Sequence, residues 1–329
     1  MPETQQCWCG SNQFSNFSDD YYLCAACGTL VLKYWPDESL AQVKDEGELY
    51  SRDYYLRHLV EDYGFPDLPT RTRDDLGERN TYWLRTLLKY RLPPGKALEL
   101  GCAHGGFVAL MRQCGFDASG LELSPWIVNY ARQAFDIPMF QGSLEKQSIP
   151  LGSLDVITLF DVLEHLPDPL STMQHALSLL KPDGLLLIQT PNYIEGTTYV
   201  TMTAKNDRFL NLLIKEHLLL FSQRAAREMF HRLGAEYCVF EPPIFDYDMF
   251  LLVSRQPFGA ISREQRDAEL QSTPKGRLML ALLDLYERTE MFQKESEARL
   301  QAIDYLKQES AERLQVINKL SQQLEGKKR

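Results

Sequence analysis

Ala97-Leu98-Glu99-Leu100-Gly101-Cys102-Ala103-His104-Gly105-Gly106-Phe107 decides the fold of this chain. A short apolar run ends in a glycine-rich turn, and an amphipathic helix pattern opens at once over Phe107–Cys114. Glycines at a strand-to-helix turn let the backbone adopt positive φ and approach a ligand closely. The same alternation recurs outward from this point. Strands are expected over Ala97–Leu100, Ala118–Glu122, Val156–Phe160, Leu185–Gln189, Tyr237–Phe240 and Met249–Ser254. Helices are expected over Phe107–Cys114, Pro125–Ala134, Pro169–Leu180 and Gln223–Leu233. Strands separated by helices make a parallel sheet with crossovers. Only Glu241-Pro242-Pro243 joins the last two strands, which predicts a terminal hairpin with one antiparallel strand. The expected class is α/β, a doubly wound, mostly parallel sheet.

The chain has 329 residues, room for one such domain plus appendages. Four stretches differ in character: a cysteine-rich module at 1–36, an aromatic, helical cover at 37–92, the core at 93–255 with an insertion at 192–217, and a polar, helix-forming extension at 256–329. A net charge of -10 argues against nucleic acid, whose phosphates need Lys and Arg to displace counterions. No apolar run approaches the ~20 residues of a membrane span. Met1-Pro2-Glu3-Thr4 lacks the pattern of a secretory signal, so a reducing cytoplasm is expected. The seven cysteines then read as free thiols or metal ligands.

About twenty residues beyond the turn, Gly120-Leu121-Glu122 ends the second strand with an acid able to accept hydrogen bonds from ribose hydroxyls. That arrangement serves any adenosine ligand, NAD included. The dinucleotide fingerprint would need glycine at Ala103, however, and Glu99 stands where the groups of a methionyl cofactor converge. Leu98-Glu99-Leu100-Gly101-Cys102-Ala103-His104-Gly105 resembles motif I of the class I S-adenosylmethionine-dependent methyltransferases. Leu154 through Pro169, with Phe160-Asp161-Val162-Leu163-Glu164-His165, resembles their fourth-strand motif. Leu179-Leu180-Lys181-Pro182-Asp183-Gly184 is similar to their approach to the fifth strand.

The resemblance implies a Rossmann-like fold, with S-adenosylmethionine held by Glu99, Gly101, Ala103, Gly105, Glu122, Leu123 and Phe160. Ser143 stands where such families often place an adenine-contacting Asp; its side chain or the Leu144 backbone would serve. Ala103 replaces a glycine, a change compatible with the turn at negative φ. Tyr50-Ser51-Arg52-Asp53-Tyr54-Tyr55 resembles the family's aromatic cover, where Arg52 would pair with the cofactor carboxylate; a packed aromatic helix is the other reading.

Chemistry belongs at the carboxyl ends of the fourth and fifth strands. Asp161, Glu164 and His165 fall there. In ubiquinone-type O-methyltransferases, which this segment resembles, a related acid-acid-His group is associated with a divalent metal. The competing reading has Glu164 and His165 bracing the loop into Pro167-Asp168-Pro169. His165 is a candidate general base, since neutral imidazole accepts protons near neutrality. After the fifth strand, the insertion from Thr190-Pro191-Asn192 to Glu216-His217 reads as a lid. His217 is the second candidate base or else a packed histidine.

Cys7-Trp8-Cys9-Gly10 and Cys24-Ala25-Ala26-Cys27-Gly28 are two thiol pairs separated by fourteen residues. Cys7, Cys9, Cys24 and Cys27 can close a structural Zn²⁺ site, or remain four buried thiols. Similar modules precede the core in some sugar methyltransferases. Leu282, Leu285, Phe292, Ile303, Leu306, Ile317, Leu320 and Leu324 approximate an a/d spacing, interrupted by Ser296, Arg299, Ser310 and Arg313. This reads as a helix that dimerises weakly or docks on a partner, or that lies along its own domain. The functional expectation is methyl transfer to a small sugar or glycan-precursor hydroxyl. The alternatives are a ubiquinone-like phenol O-methyltransferase and a non-catalytic scaffold in glycan assembly.

Overall fold

The computed structural model describes residues 6–35, 51–61 and 64–326. Tyr50, most of the stretch before it, the side chain of Leu324 and the closing Lys327-Lys328-Arg329 lie outside the described residues. The chain divides into two compact units, Met1–Leu280 and Ala281–Arg329.

The first unit opens with three short strands, β1 (Phe14–Asn16), β2 (Tyr21–Cys24) and β3 (Leu30–Leu32). Helices α1 (Leu68–Gly77) and α2 (Arg79–Leu88) follow, then β4 (Lys96–Leu100), α3 (Gly106–Cys114), β5 (Asp117–Glu122), α4 (Pro125–Phe135) and β6 (Met139–Gln141). The chain continues through β7 (Leu154–Phe160), α5 (Pro169–Leu179), β8 (Leu180–Pro191), α6 (Tyr199–Lys205), β9 (Leu219–Leu220), α7 (Gln223–Arg232), β10 (Tyr237–Glu241) and β11 (Asp248–Ser254). Helices α8 (Arg263–Gln271) and α9 (Pro274–Gly326) close it.

Local chemistry sets the helix starts. Proline occupies the first turn of α4 and α5, where its missing N–H costs nothing. The Asp168 carboxylate accepts the Ser171 N–H at 3.0 Å, and the Ser222 hydroxyl accepts the Ala225 N–H at 3.1 Å to start α7. Leu185–Ile188 of β8 are buried without alternation, as central parallel strands covered on both faces must be.

The large sheet has the order β10-β11-β8-β7-β4-β5-β6. β11 runs antiparallel to both β10 and β8, so it alone opposes the other six strands. β6 is not expected from the sequence; three residues at an edge are too few to show a period. β8 begins five residues earlier than Leu185, because the Lys181–Gly184 segment is absorbed as an irregularity in its pairing with β7. Strand order reverses beside β4, between β5 on one side and β7 on the other, which opens a crevice at their carboxyl ends.

The amino-terminal module is joined to this body and forms no separate unit. β3 pairs antiparallel with β9, completing a four-stranded sheet β1-β2-β3-β9. No helix among the described residues is long and apolar enough to cross a membrane. The second unit is helical, with Leu285, Phe292, Ile303, Leu306, Ile317 and Leu320 exposed.

Candidate functional site

The crevice is lined first by the turn after β4. Gly101, Ala103 and Gly105 all have positive φ, +65°, +45° and +79°. The expectation of a negative φ at Ala103 is therefore corrected: an alanine occupies the left-handed region, where its Cβ crowds the backbone at a cost of about 1–2 kcal/mol. Ala103 is held there because its N–H points at Glu122, whose Oε2 accepts it at 3.1 Å. Glu122 Oε1 accepts the Leu123 N–H at 2.6 Å and the Ser124 N–H at 3.4 Å. One carboxylate thus gathers the turn after β4 and the start of α4. At Gly105 a Cβ would strike Ile137 and Ala131, so close packing of the loop demands glycine there.

Glu99 lies on β4 beneath this turn, 5% exposed, with Oε2 lacking any hydrogen-bond partner. Burial, and then the neighbouring Glu122 charge, push its carboxyl well above the ordinary range. A buried carboxyl oxygen left unpartnered is costly unless a ligand meets it. Gly101 is exposed although buried Leu100 and Cys102 flank it, so the turn's backbone is accessible from the crevice.

Tyr55 packs with Leu68 and Ile127, with Tyr54, Trp126 and Ala103 against the same cluster. Its ring stacks on Trp126 at 6.2 Å. The aromatic cover therefore meets the glycine turn. Arg52 is exposed on that segment. Arg79 and Arg71 carry the positive charges that act on Asp161 at the end of β7. Both also pair with Asp75, and Asp75 Oδ2 lies 3.1 Å from His104 Nε2. Arg71 is mostly buried, and its Nε, 3.9 Å from Asp75 Oδ2, makes no hydrogen bond. Sequence reading missed this group, although Arg71, Asp75 and Arg79 recur every four residues, a spacing that places side chains together along helical turns.

Asp161 has φ +56° and is reached by solvent. Its Oδ1 accepts from Gln189 Nε2 at 3.3 Å, and Gln189 Oε1 accepts the Trp83 indole N–H at 3.0 Å. Asp248, at the start of β11, reaches the same edge because that strand is antiparallel. Burial and the Asp161 charge push Asp248 up to about 8. No local sequence pattern marks Asp248; only the strand reversal brings it here. Phe160 stacks on Trp83 at 4.0 Å and packs with Phe107 and Phe250, so its ring belongs to the core and only its backbone borders the crevice. Ser143 and Leu144 lie beyond β6, where Leu144 is buried. Glu145 accepts from the Thr172 hydroxyl at 2.9 Å, a brace across the loop.

The predicted ligand set Asp161, Glu164 and His165 is also corrected. Among the described residues, Glu164 and His165 converge instead with His217, their ligand atoms all within 4.8 Å of one another. Asp161 is turned toward Gln189 and couples to Asp248. His165 Nδ1 lies 2.7 Å from the Glu216 carbonyl, and His217 Nδ1 lies 2.7 Å from the Leu212 carbonyl. Burial lowers both histidines; His165 lowers His217 further, to about 3. A ring lowered as far as His217 is a poor proton acceptor near neutrality.

The four amino-terminal cysteines do come together. Cys7 Sγ lies 3.5 Å from Cys27 Sγ, Cys9 Sγ lies 3.6 Å from Cys24 Sγ, and all four sulfurs are within 4.8 Å of one another. A Zn–S bond of about 2.3 Å places tetrahedral sulfurs ~3.8 Å apart, so the set fits zinc. The short Cys7-x-Cys9 spacing is accommodated by Gly10, whose positive φ turns its N–H back onto the Cys7 carbonyl at 2.8 Å.

A family model described as a methyltransferase domain matches residues 73–238, half of the chain. A ubiquinone biosynthesis O-methyltransferase of Xanthomonas campestris pv. campestris (strain B100) is 34% identical over 107 residues, which are 31% of this chain and 45% of that protein. A probable S-adenosylmethionine-dependent methyltransferase of Mycolicibacterium smegmatis is 30% identical over 131 residues, 38% of this chain and 51% of that one. The chain thus spans about half the length of the curated relatives it matches. Among solved structures, the magnesium protoporphyrin IX methyltransferase of Synechocystis with bound SAH is similar at 18% identity and a TM-score of 0.44, covering 62% of this chain and 98% of that one. With a matched domain spanning the glycine turn, the acid ending β5 and the β7 edge, the chain belongs to the class I S-adenosylmethionine-dependent methyltransferases.

Proposed function

We propose that the chain transfers a methyl group from S-adenosylmethionine to a hydroxyl of a small sugar or glycan-precursor acceptor. The observation that carries the reading is the pair of buried carboxyl groups flanking the left-handed turn: Glu99 with an unpartnered oxygen, and Glu122 gathered on three backbone N–H groups. The bound cofactor supplies a methyl group that is already electrophilic. The protein's part is to hold the reactants in line, exclude water and take a proton.

In this reading Glu122 accepts the ribose hydroxyls and Glu99 meets the amino end of the methionyl group. Arg71 and Arg79 offer its carboxylate a guanidinium, the role that the aromatic motif alone gives to Arg52. Leu123, Ser143 and Leu144 border the adenine. The Asp161–Asp248 pair takes the acceptor proton, since Asp248, raised to about 8, is poised for transfer near neutrality. His165 and His217 fix the end of the lid.

A cleft beside this pair, lined by the polar Asn192, Asp207, Arg208 and Asp246 and by the apolar Ile194, Met202 and Phe209, offers hydrogen-bond partners to an acceptor with hydroxyls. The net charge of -10 supports a small acceptor over nucleic acid, and a four-cysteine module able to hold zinc supports the sugar class. The exposed apolar residues of the second unit support association through the carboxyl-terminal helix, kept weak by Arg299 and Arg313 in the seam.

Phenol O-methylation is the second reading. The ubiquinone-pathway relatives favour it, as does the Phe245–Tyr247 stack, 5.4 Å between centroids and almost parallel, which would border a planar ring. Calorimetric titration with S-adenosylmethionine, followed by turnover on nucleotide sugars and on catechol-type phenols, tests both. Binding with turnover on sugars supports the first; turnover on phenols alone replaces it with the second. Absence of cofactor binding removes both.

A further inference from the structure

The second unit carries a repeat. Glu295-Ser296-Glu297-Ala298-Arg299-Leu300-Gln301-Ala302-Ile303 returns fourteen residues later as Glu309-Ser310-Ala311-Glu312-Arg313-Leu314-Gln315-Val316-Ile317. Leu306 and Leu320 follow the two copies at the same interval. Fourteen residues are two heptads, so both copies put the same residue types in the same places on α9. With Ile303 and Ile317 at a, and Leu306 and Leu320 at d, each copy also sets a serine at a and an arginine at d. All of these seam residues are exposed. The glutamate that opens each copy lies at g and pairs with the arginine one turn on. Arg299 Nη2 lies 2.6 Å from Glu295 Oε1, and Arg313 Nη2 lies 2.6 Å from Glu309 Oε1.

We propose that this face pairs with the same face of a second copy of the chain, antiparallel, about a two-fold axis between Asp304 and Tyr305. The proposal rests on the association read above for this helix and adds its partner, direction and register. A symmetric parallel pair would set Arg299 against the partner's Arg299 and Arg313 against the partner's Arg313, like charges facing in the seam. In an antiparallel pair, a positions face d positions instead. About the stated axis Ile303 faces the partner's Leu306, and Phe292 faces the partner's Ile317. Arg299 then faces the partner's Ser310, and Arg313 faces the partner's Ser296. Thr289 against the partner's Leu320 is the weaker match of this register. A shift of one heptad either way sets an arginine against Ile303.

Charge follows the same register. Antiparallel pairing brings the g flank of one helix beside the g flank of the other. Arg299, already on its own Glu295, comes beside the partner's Glu309, which in turn holds the partner's Arg313. Two acids and two arginines thus gather at each end of the seam. On the opposite flank Leu300 and Leu314, at e, fall over the partner's Ser310 and the partner's Ser296, so apolar surface covers the layers where the seam residue is small. Polar residues in a seam lower its stability and fix its register and direction. The serines and arginines therefore select the antiparallel pair, while the isoleucine, leucine and phenylalanine layers hold it together.

The test uses the full chain. Sedimentation equilibrium should show a monomer–dimer equilibrium, and Ile303→Asp should weaken it by roughly tenfold or more, since the charge enters the centre of the seam from both copies. Tyr305→Asp, on the outward side of the same turn, should leave it within about threefold, because a solvated charge contributes little. Direction is read from the photoreactive p-benzoylphenylalanine placed at position 292, in an equal mixture of light and isotopically heavy chains. Its light-to-heavy crosslinks should run to the segment around Ile317. Calorimetry with S-adenosylmethionine on Ile303→Asp should match wild type, which separates failure here from failure of the methyl-transfer reading. A chain that stays monomeric up to about 100 µM overturns the association and the pairing together. A dimer whose crosslinks join position 292 to the segment around position 292 of the other chain keeps the association and overturns the antiparallel direction. A dimer unmoved by Ile303→Asp overturns this face as the interface.

Discussion

The glycine turn and the lid-end cluster both place a buried, unpartnered carboxyl oxygen near the carboxyl edge of one sheet, but they are built in different ways. Glu99, Ala103 and Glu122 fall within 24 residues of sequence and are joined by adjacent parallel strands, Glu99 pairing with Gly120. Glu164 and His165 meet His217 only because the insertion returns to the sheet and β9 joins β3. The first is organised by backbone N–H groups converging on one carboxylate. The second is organised by side chains held by the Thr190 hydroxyl and by the Leu212 and Glu216 carbonyls. A backbone-built site keeps its shape when a nearby side chain changes, whereas a side-chain-built site depends on the fold of the whole insertion.

The strongest attack on this contrast is at Glu122. Glu122→Ala removes the acceptor for three N–H groups and the partner for the ribose hydroxyls, and should weaken S-adenosylmethionine binding by roughly 100-fold, about 2.7 kcal/mol, in calorimetry. An affinity within a factor of three of wild type would mean that the turn does not hold adenosine.

The pH response sharpens the contrast, because groups on the assembled side titrate in opposite directions. Asp248, raised to about 8, keeps its proton in the folded chain after an unfolded Asp has released it near pH 3.9. Its contribution is therefore fully present at low pH and is lost as pH rises toward 8. His217, lowered to about 3, resists a proton that the unfolded chain takes up near pH 6.5, so stability falls as pH drops below that value. Asp248→Asn should accordingly raise the melting temperature most at pH 8, with the advantage fading toward pH ~4. A constant difference across that range would show that the Asp248 carboxyl is not raised.

The smallest expected effect lies in the turn itself. Ala103→Gly relieves a Cβ in the left-handed region but loosens the unfolded chain, and should raise the melting temperature by about 1–3 °C. It should leave cofactor affinity within about twofold, since the N–H to Glu122 is retained. A lower melting temperature would show that the alanine methyl stabilises the turn by packing against the Tyr55 cluster.

The amino-acid sequence by itself determined the alternation of strands and helices, the terminal hairpin, the glycine turn, Glu99, Glu122 and the four cysteines. Each depends on neighbours a few residues away or on a fixed strand-to-strand offset, and so leaves a periodic or spaced trace. Only the tertiary structure decided that His217 joins Glu164 and His165, that Asp248 reaches the edge where Asp161 lies, and that Arg71, Arg79 and His104 gather on Asp75. It also decided that β9 completes the cysteine module's sheet. These contacts join segments tens to nearly two hundred residues apart. Which distant groups meet is set by strand reversal and by the return of the 192–217 insertion to the sheet, which no spacing along the chain records.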